Sequence, residues 1–428
     1  MRTARHTVAG FIAIFLAIGA TLMWPIAAAT PTARPEEVGL SAERLHRIND
    51  LIQRNIDAGT FSGAVTLVAR QGRIAHLEAQ GLMDIESRKP MQKDAIFRIM
   101  SMTKPVVGVS IMMMIEEGKV RLTDPVSKFI PEMKDLKVAV AMTPPGPPPP
   151  PDAPARFYAV PAEREITVRD LLTHTSGLVS GGISNREAQR VALKGKETLA
   201  DYLPRLGGVP LDFQPGTRWA YSAQAGFDTL ARIVEITSGM PYDKFAKQRI
   251  FDPLGMKDTF FYPAEGNPRM ATLYRRGEKG LEKQNNPGFM NGAYFSGGGG
   301  LMSTAEDYLQ FAQMLLNGGE LNGKRLLGSK TVEVMTSVAA PDTLPGRPKG
   351  EGYGLSVRVV NDPVARSSFM SAGTFGWSGA FGTHFFVDPR ERIVGILMAQ
   401  TPDQQVRLDF ENAVMHAIVG NSTLSGTH

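Results

Sequence analysis

The chain carries two hydrophobic periods. From Ser41, apolar Leu45, Ile48, Leu51, Ile52 and Ile56 recur at steps of three and four until Gly59, the spacing of one buried face of an amphipathic helix. A strand-like pattern follows, where residues 63–70 (GAVTLVAR) and 73–79 (RIAHLEA) flank Gln71-Gly72 and predict an antiparallel hairpin with glycine in its turn. The far end repeats this vocabulary. Residues 352–360 (GYGLSVRVV), 383–389 (THFFVDP) and 392–399 (RIVGILMA) read as strands, with a polar turn over 388–391. Val406, Phe410, Val414 and Ile418, at steps of four, predict a closing helix. Strands at both ends with helical patterns between them predict an α+β fold: one antiparallel sheet built from N- and C-terminal strands and flanked by helices, with a largely helical inserted subdomain. The α/β part is expected over about 36–130 and 290–420 and the insert over about 131–289, within a single domain from residue 30 to residue 428.

Two segments stand outside these patterns. Residues 143–155 (TPPGPPPPPDAPA) cannot continue a helix or a central strand, because proline lacks a backbone donor and restricts the residue before it, so they read as a surface loop. At the N-terminus, Arg2, Arg5 and His6 precede an apolar run from Val8 to Pro25 and then Ala27-Ala28-Ala29. These are the three parts of a secretory signal, with cleavage expected after Ala29 and a periplasmic or secreted product. The run is long for a signal core, which keeps open a second reading in which it stays uncleaved as a membrane anchor.

With 43% hydrophobic and 21% charged residues, a chain of 428 residues can bury a large core. The absence of cysteine excludes disulfides, thiolate metal sites and a cysteine nucleophile. The formal charge of +5 drops to +3 without Arg2 and Arg5, and no basic block suggests a nucleic-acid partner. The sequence carries no reading of oligomeric state.

Candidate chemistry is sparse. No His-Glu-x-x-His, Gly-x-Ser-x-Gly or Gly-x-Gly-x-x-Gly occurs in a suitable context. Gly318, Gly323 and Lys324 have phosphate-loop spacing, but Arg325 stands where a magnesium-binding hydroxyl is needed. His174 ends an apparent helix and reads as structural. The glycine run 296–300 reads as a flexible loop entering a helix capped by Ser303 or Thr304.

What remains is Ser101-Met102-Thr103-Lys104. About one Ser-x-x-Lys match is expected by chance in such a chain, so placement must decide. Residues 94–99 (DAIFRI) read as a strand, and Val106, Val107, Ile111, Met114 and Ile115 continue at helical spacing. Ser101 then falls at a helix start, with Pro105 in the first turn, where it is tolerated. Free N–H groups and the positive dipole end suit a developing oxyanion, and Lys104 returns to the same face. A lysine base requires desolvation and a second proton-handling group. Tyr221, just before the helical pattern from 225, is available for that role.

The set SMTK, LLTHTSGL (171–178), Tyr221 in residues 216–239, SGGGGLMST (296–304) and FGWSGAFGTHFFVDP (375–389) resembles the serine beta-lactamase-like family of penicillin-recognising enzymes, closest to its family VIII carboxylesterases. The resemblance runs from about Glu36 to about Ile418. It implies Ser101 as acylated nucleophile, Lys104 as base and Tyr221 as proton relay, with Trp377-Ser378-Gly379 as a substrate-binding third motif where the family commonly has Lys-Thr-Gly. The implied oxyanion hole pairs the N–H groups of Ser101 and Ala380, and no metal or cofactor is implied. Two departures stand out. The family's Tyr-x-Asn is here Tyr221-Ser222-Ala223, and the only Lys-Thr pair, Lys330-Thr331, precedes Val332 in a stretch that reads as helix, leaving no evident cation for an antibiotic's carboxylate. Trp377 offers an apolar wall instead, while Trp219 reads as core. The resulting expectation is an exported serine hydrolase that cleaves short, uncharged carboxylic esters through an acyl-enzyme. The alternatives are a beta-lactamase or D-Ala-D-Ala carboxypeptidase, an acyltransferase, or a silent binder of cell-wall fragments.

Overall fold

A computed structural model of the protein describes residues 30–142, 156–264 and 266–420. The signal-like segment and the proline-rich segment 143–155 lie outside the described residues.

Helix α1 (Ala42–Asp57) starts at Ser41, whose hydroxyl accepts the Arg44 N–H, and it buries Leu45, Ile48, Leu51 and Ile52. The hairpin of β1 (Gly63–Arg70) and β2 (Arg73–Asp84) forms where the sequence places it, and β3 (Lys89–Pro90) adds a short edge. Helices α2 (Thr103–Glu116), α3 (Ala225–Ser238) and α4 (Ala305–Leu316) occupy the middle of the chain. The C-terminal part supplies β4 (Glu351–Tyr353), β5 (Arg358–Val360), β6 (Phe375–Ser378), β7 (His384–Asp388), β8 (Ile393–Ala399) and α5 (Gln404–His416).

These eight strands form one antiparallel sheet in the order β4-β5-β6-β7-β8-β1-β2-β3. The two chain ends meet at its centre, where Ala64 pairs with Ala399 and Arg70 with Ile393. Successive side chains on a strand point to opposite faces, which divides the core. Ala64, Val68, Ile393 and Leu397 pack with α1 and α5 on one face, whereas Val65, Leu67, Val394 and Ile396 join the larger core containing α2, α3 and α4 on the other. Every residue of α2 from Thr103 to Met114 is buried, so this helix runs through the interior and brings its N-terminus to the junction of sheet and insert.

Three local expectations are corrected. Residues 352–360 are two strands, β4 and β5, joined by a turn in which Gly354 N–H bonds Val357 carbonyl and Ser356 adopts φ 83°. Of residues 94–99 only Phe97–Arg98 is strand, and it pairs with Met302–Ser303 rather than with the main sheet. The insert also contains two hairpins, Lys137–Ala141 with Phe157–Pro161 and Tyr274–Gly277 with Gly280–Lys283. The first has partners separated by the proline-rich segment, too far apart in sequence for hairpin spacing to reveal.

Candidate active site

Ser101 lies in a single 3₁₀ turn (Met100–Met102) leading into α2. Both ends of this turn are pinned: Ile99 N–H donates to Leu301 carbonyl, the Thr383 hydroxyl donates to Ile99 carbonyl, and the Thr103 hydroxyl accepts from Leu301 N–H. Met100 takes φ 46°, an uncommon left-handed conformation for a side-chain-bearing residue. The backbone is thus bent immediately before Ser101 and locked in that bend.

Lys104 is 0% exposed, and its Nζ lies 3.3 Å from Ser101 Oγ. It also donates to the carbonyls of Ala223 at 2.6 Å and Gly298 at 2.7 Å, and sits 4.8 Å above the Tyr221 ring. Among the described residues no carboxylate lies within ion-pair distance of it. Tyr221 Oη is 2.7 Å from Ser101 Oγ. The three side chains expected to act together therefore converge on one hydroxyl. No histidine is within hydrogen-bond distance of that hydroxyl among the described residues.

The glycine run is not the flexible loop the sequence suggests: Ser296 through Gly300 are all buried. A Cβ on Gly298 would stand 2.6 Å from Gln224 Cα, and one on Gly297 would stand 2.4 Å from Phe227 carbonyl oxygen. Only glycine lets this backbone press against the first turn of α3. Asp228, on that helix and 1% exposed, fixes the run from behind, accepting from Gly298 N–H at 2.8 Å, Ser296 Oγ at 2.7 Å and Tyr294 Oη at 2.8 Å. Burial raises the Asp228 pKa while these donors oppose the rise. Asp228 thereby holds the residue whose carbonyl accepts from Lys104 Nζ.

The third motif forms the opposite wall. The Trp377 ring lies 5.5 Å from that of Tyr221 and 5.1 Å from that of Tyr353, and Trp219 stacks on Tyr221 at 6.3 Å. Trp219 is thus part-exposed site wall rather than simple core. Gly379 allows the end of β6 to touch the segment before Ser101, since a Cβ there would meet Ile99 carbonyl oxygen at 2.3 Å. Among the described residues, the N–H groups of Ser101 and Ala380 have no acceptor, whereas Gly379 N–H is engaged by Thr383 carbonyl. Ser378 turns its hydroxyl to the other side, to His384 Nδ1 at 2.9 Å and Arg407 Nη1 at 3.0 Å.

Two further features border the site. His174 is 1% exposed and accepts Ser222 N–H on Nδ1, with its ring 4.7 Å from that of Tyr221. Burial pushes its pKa well below the usual value, so it is a neutral support behind Tyr221. Arg407, from α5, is a cation at the third motif with no ion-pair partner among the described residues. Its place in the closing helix gave no sequence signal of proximity to Ser378.

Comparison with known proteins places the chain in a family. The family model for Beta-lactamase matches residues 48–418. An uncharacterized protein of Mycobacterium tuberculosis is 36% identical over 395 residues, covering 87% of this chain and 93% of that one. Esterase EstB of Burkholderia gladioli is 30% identical over 398 residues, covering 87% of this chain and 93% of EstB. The solved structure of EstCE1, described as a hydrolase with promiscuous acyltransferase activity, matches with TM-score 0.73 and 25% identity, covering 88% of this chain and 99% of that one. Fold, matched span and relatives agree, and the chain belongs to the beta-lactamase family as a serine hydrolase of the beta-lactamase-like type.

Proposed function

We propose that the protein hydrolyses small carboxylic esters through an acyl-enzyme on Ser101. The observation that carries this reading is the convergence of Lys104 Nζ and Tyr221 Oη on Ser101 Oγ, at 3.3 Å and 2.7 Å. Lys104 in its neutral form has two N–H groups to satisfy the Ala223 and Gly298 carbonyls and a lone pair for the Ser101 hydroxyl. As Ser101 Oγ attacks the ester carbonyl, its proton passes to the Lys104–Tyr221 pair. The oxyanion is stabilised by the N–H groups of Ser101 and Ala380, and the alkoxide leaves with a proton delivered through Tyr221. Water then attacks the acyl-enzyme by the reverse route.

The Trp219, Tyr221 and Trp377 rings favour an uncharged substrate, and Ala223 offers no amide to a penicillin side chain. The N-terminal segment supports export, to the periplasm or beyond the cell. The test is turnover of p-nitrophenyl butyrate by wild type and Ser101→Ala. Loss of at least about 1000-fold is expected, and an unchanged rate would refute the assignment.

Arg407 supports a second reading. Its guanidinium, 3.0 Å from Ser378 Oγ, is a cation that a carboxylate-bearing substrate would need. On this reading nitrocefin or a D-Ala-D-Ala peptide is turned over and Arg407→Gln raises its KM. On the ester reading neither compound competes with the ester.

A further inference from the structure

A cavity of about 360 Å³ borders Ala223, the residue whose carbonyl accepts from Lys104 Nζ. It is bordered by Ala223, Gln224 and Asp228, and its far side is formed by residues of the insert, among them Ala188, Leu193 and Phe289. None of Trp219, Tyr221 or Trp377 contributes to it. The site therefore has two sides, an aromatic wall carrying Tyr221 and a cavity bordered by Ala223. Ala223 carbonyl accepts from Lys104 Nζ, so the cavity begins one residue from the reacting group.

We propose that this cavity holds the acyl part of the substrate, and that the preferred acyl group is uncharged, of about ten non-hydrogen atoms, with a hydrogen-bonding oxygen or nitrogen toward its far end. This rests on the esterase reading. The orientation follows from proton delivery: the alkoxide takes its proton through Tyr221 and must leave on the aromatic side, which directs the acyl chain the other way. The size follows from the volume, because a group the size of a water occupies about 30 Å³. The cavity wall contains no Lys or Arg, so a buried acyl carboxylate would lack a counter-ion. Its acidic member, Asp228, is already saturated by three donors and offers little to an ammonium group. Asn185, Gln189 and Gln224 also border the cavity, and their side-chain amides make no hydrogen bond among the described residues. Three amides without protein partners beside Leu193 and Phe289 fit an acyl chain that is apolar along its length and polar at one point.

The test is the kcat/KM profile of the full-length protein on p-nitrophenyl acetate, butyrate, hexanoate and octanoate. Wild type should favour hexanoate or octanoate over acetate by about tenfold or more. Ala188→Phe, which fills the cavity, should lower the octanoate-to-acetate ratio by at least about tenfold, while Phe289→Ala, which enlarges it, should move the optimum to longer chains. A profile that declines from acetate onward, or one that neither variant alters, overturns the acyl-pocket proposal and leaves the esterase reading standing. Failure to turn over any of the esters overturns the esterase reading itself.

Discussion

At the scale of single residues, Ser101, Lys104 and Tyr221 converge on one hydroxyl, and the proposed mechanism gives each side chain one task. Lys104→Ala and Tyr221→Phe should each lower kcat on a short-chain ester by at least about 100-fold, with stability close to wild type for Tyr221→Phe. Rates within threefold of wild type would remove either residue from the proton relay. Gly379→Ala asks a different question, because its Cβ would press on Ile99 carbonyl from 2.3 Å and move the Ala380 N–H away from Ser101. A loss of about 100-fold in kcat is expected, the usual consequence of one oxyanion donor lost. The convergence of Ser101, Lys104 and Tyr221 was legible because each has a distinctive letter at a distinctive place. What holds Lys104 was not legible, since its other two partners are main-chain carbonyls of Ala223 and Gly298, which any residue type carries.

At the scale of elements, the glycine run and α3 behave as one strap. Asp228→Ala would leave Gly298 N–H, Ser296 Oγ and Tyr294 Oη without their acceptor in a dry interior. The expected cost is about 3 kcal/mol in urea unfolding, together with a kcat loss in the folded fraction as Lys104 loses its support. Wild-type stability and kcat in this variant would contradict the strap. Sequence reading left Ser303 or Thr304 as the cap, and it is the Thr304 hydroxyl that accepts Asp307 N–H at the start of α4. It misjudged the glycines because four in a row look mobile in isolation, and only the close packing against α3 makes them rigid. The 94–99 segment failed for the opposite reason: its apolar letters suit a strand, but the bend at Met100 truncates it after two ladder residues.

At the scale of the whole molecule, the sheet assembled from the two chain ends was legible from alternation alone, since both ends carry short apolar runs punctuated by turns. The strand order was not, because nothing local says that β1 lies beside β8. The same sheet buries titratable groups that tie stability to pH. Burial holds His384 and His76 down to about 4, with Glu411, Arg358 and Arg407 around the former and Lys93 and His46 acting on the latter. The unfolded chain protonates these imidazoles near 6.5 and the folded chain only near 4, so the unfolded state binds more protons between those values and stability falls as pH drops through that window. Each contributes about 3 kcal/mol at full effect, partly offset by Asp307, whose pKa burial raises to about 6. Thermal unfolding should therefore shift downward from pH 7 to pH 4.5, and His76→Gln should reduce the slope. A flat profile would contradict this. The central claim, that this fold exists to acylate Ser101, is tested most directly by intact-mass analysis after reaction with a fluorophosphonate probe, followed by peptide mapping. A single adduct on the peptide containing Ser101, absent from Ser101→Ala, is the predicted result, and an adduct on another residue, or one that persists in the variant, would contradict it.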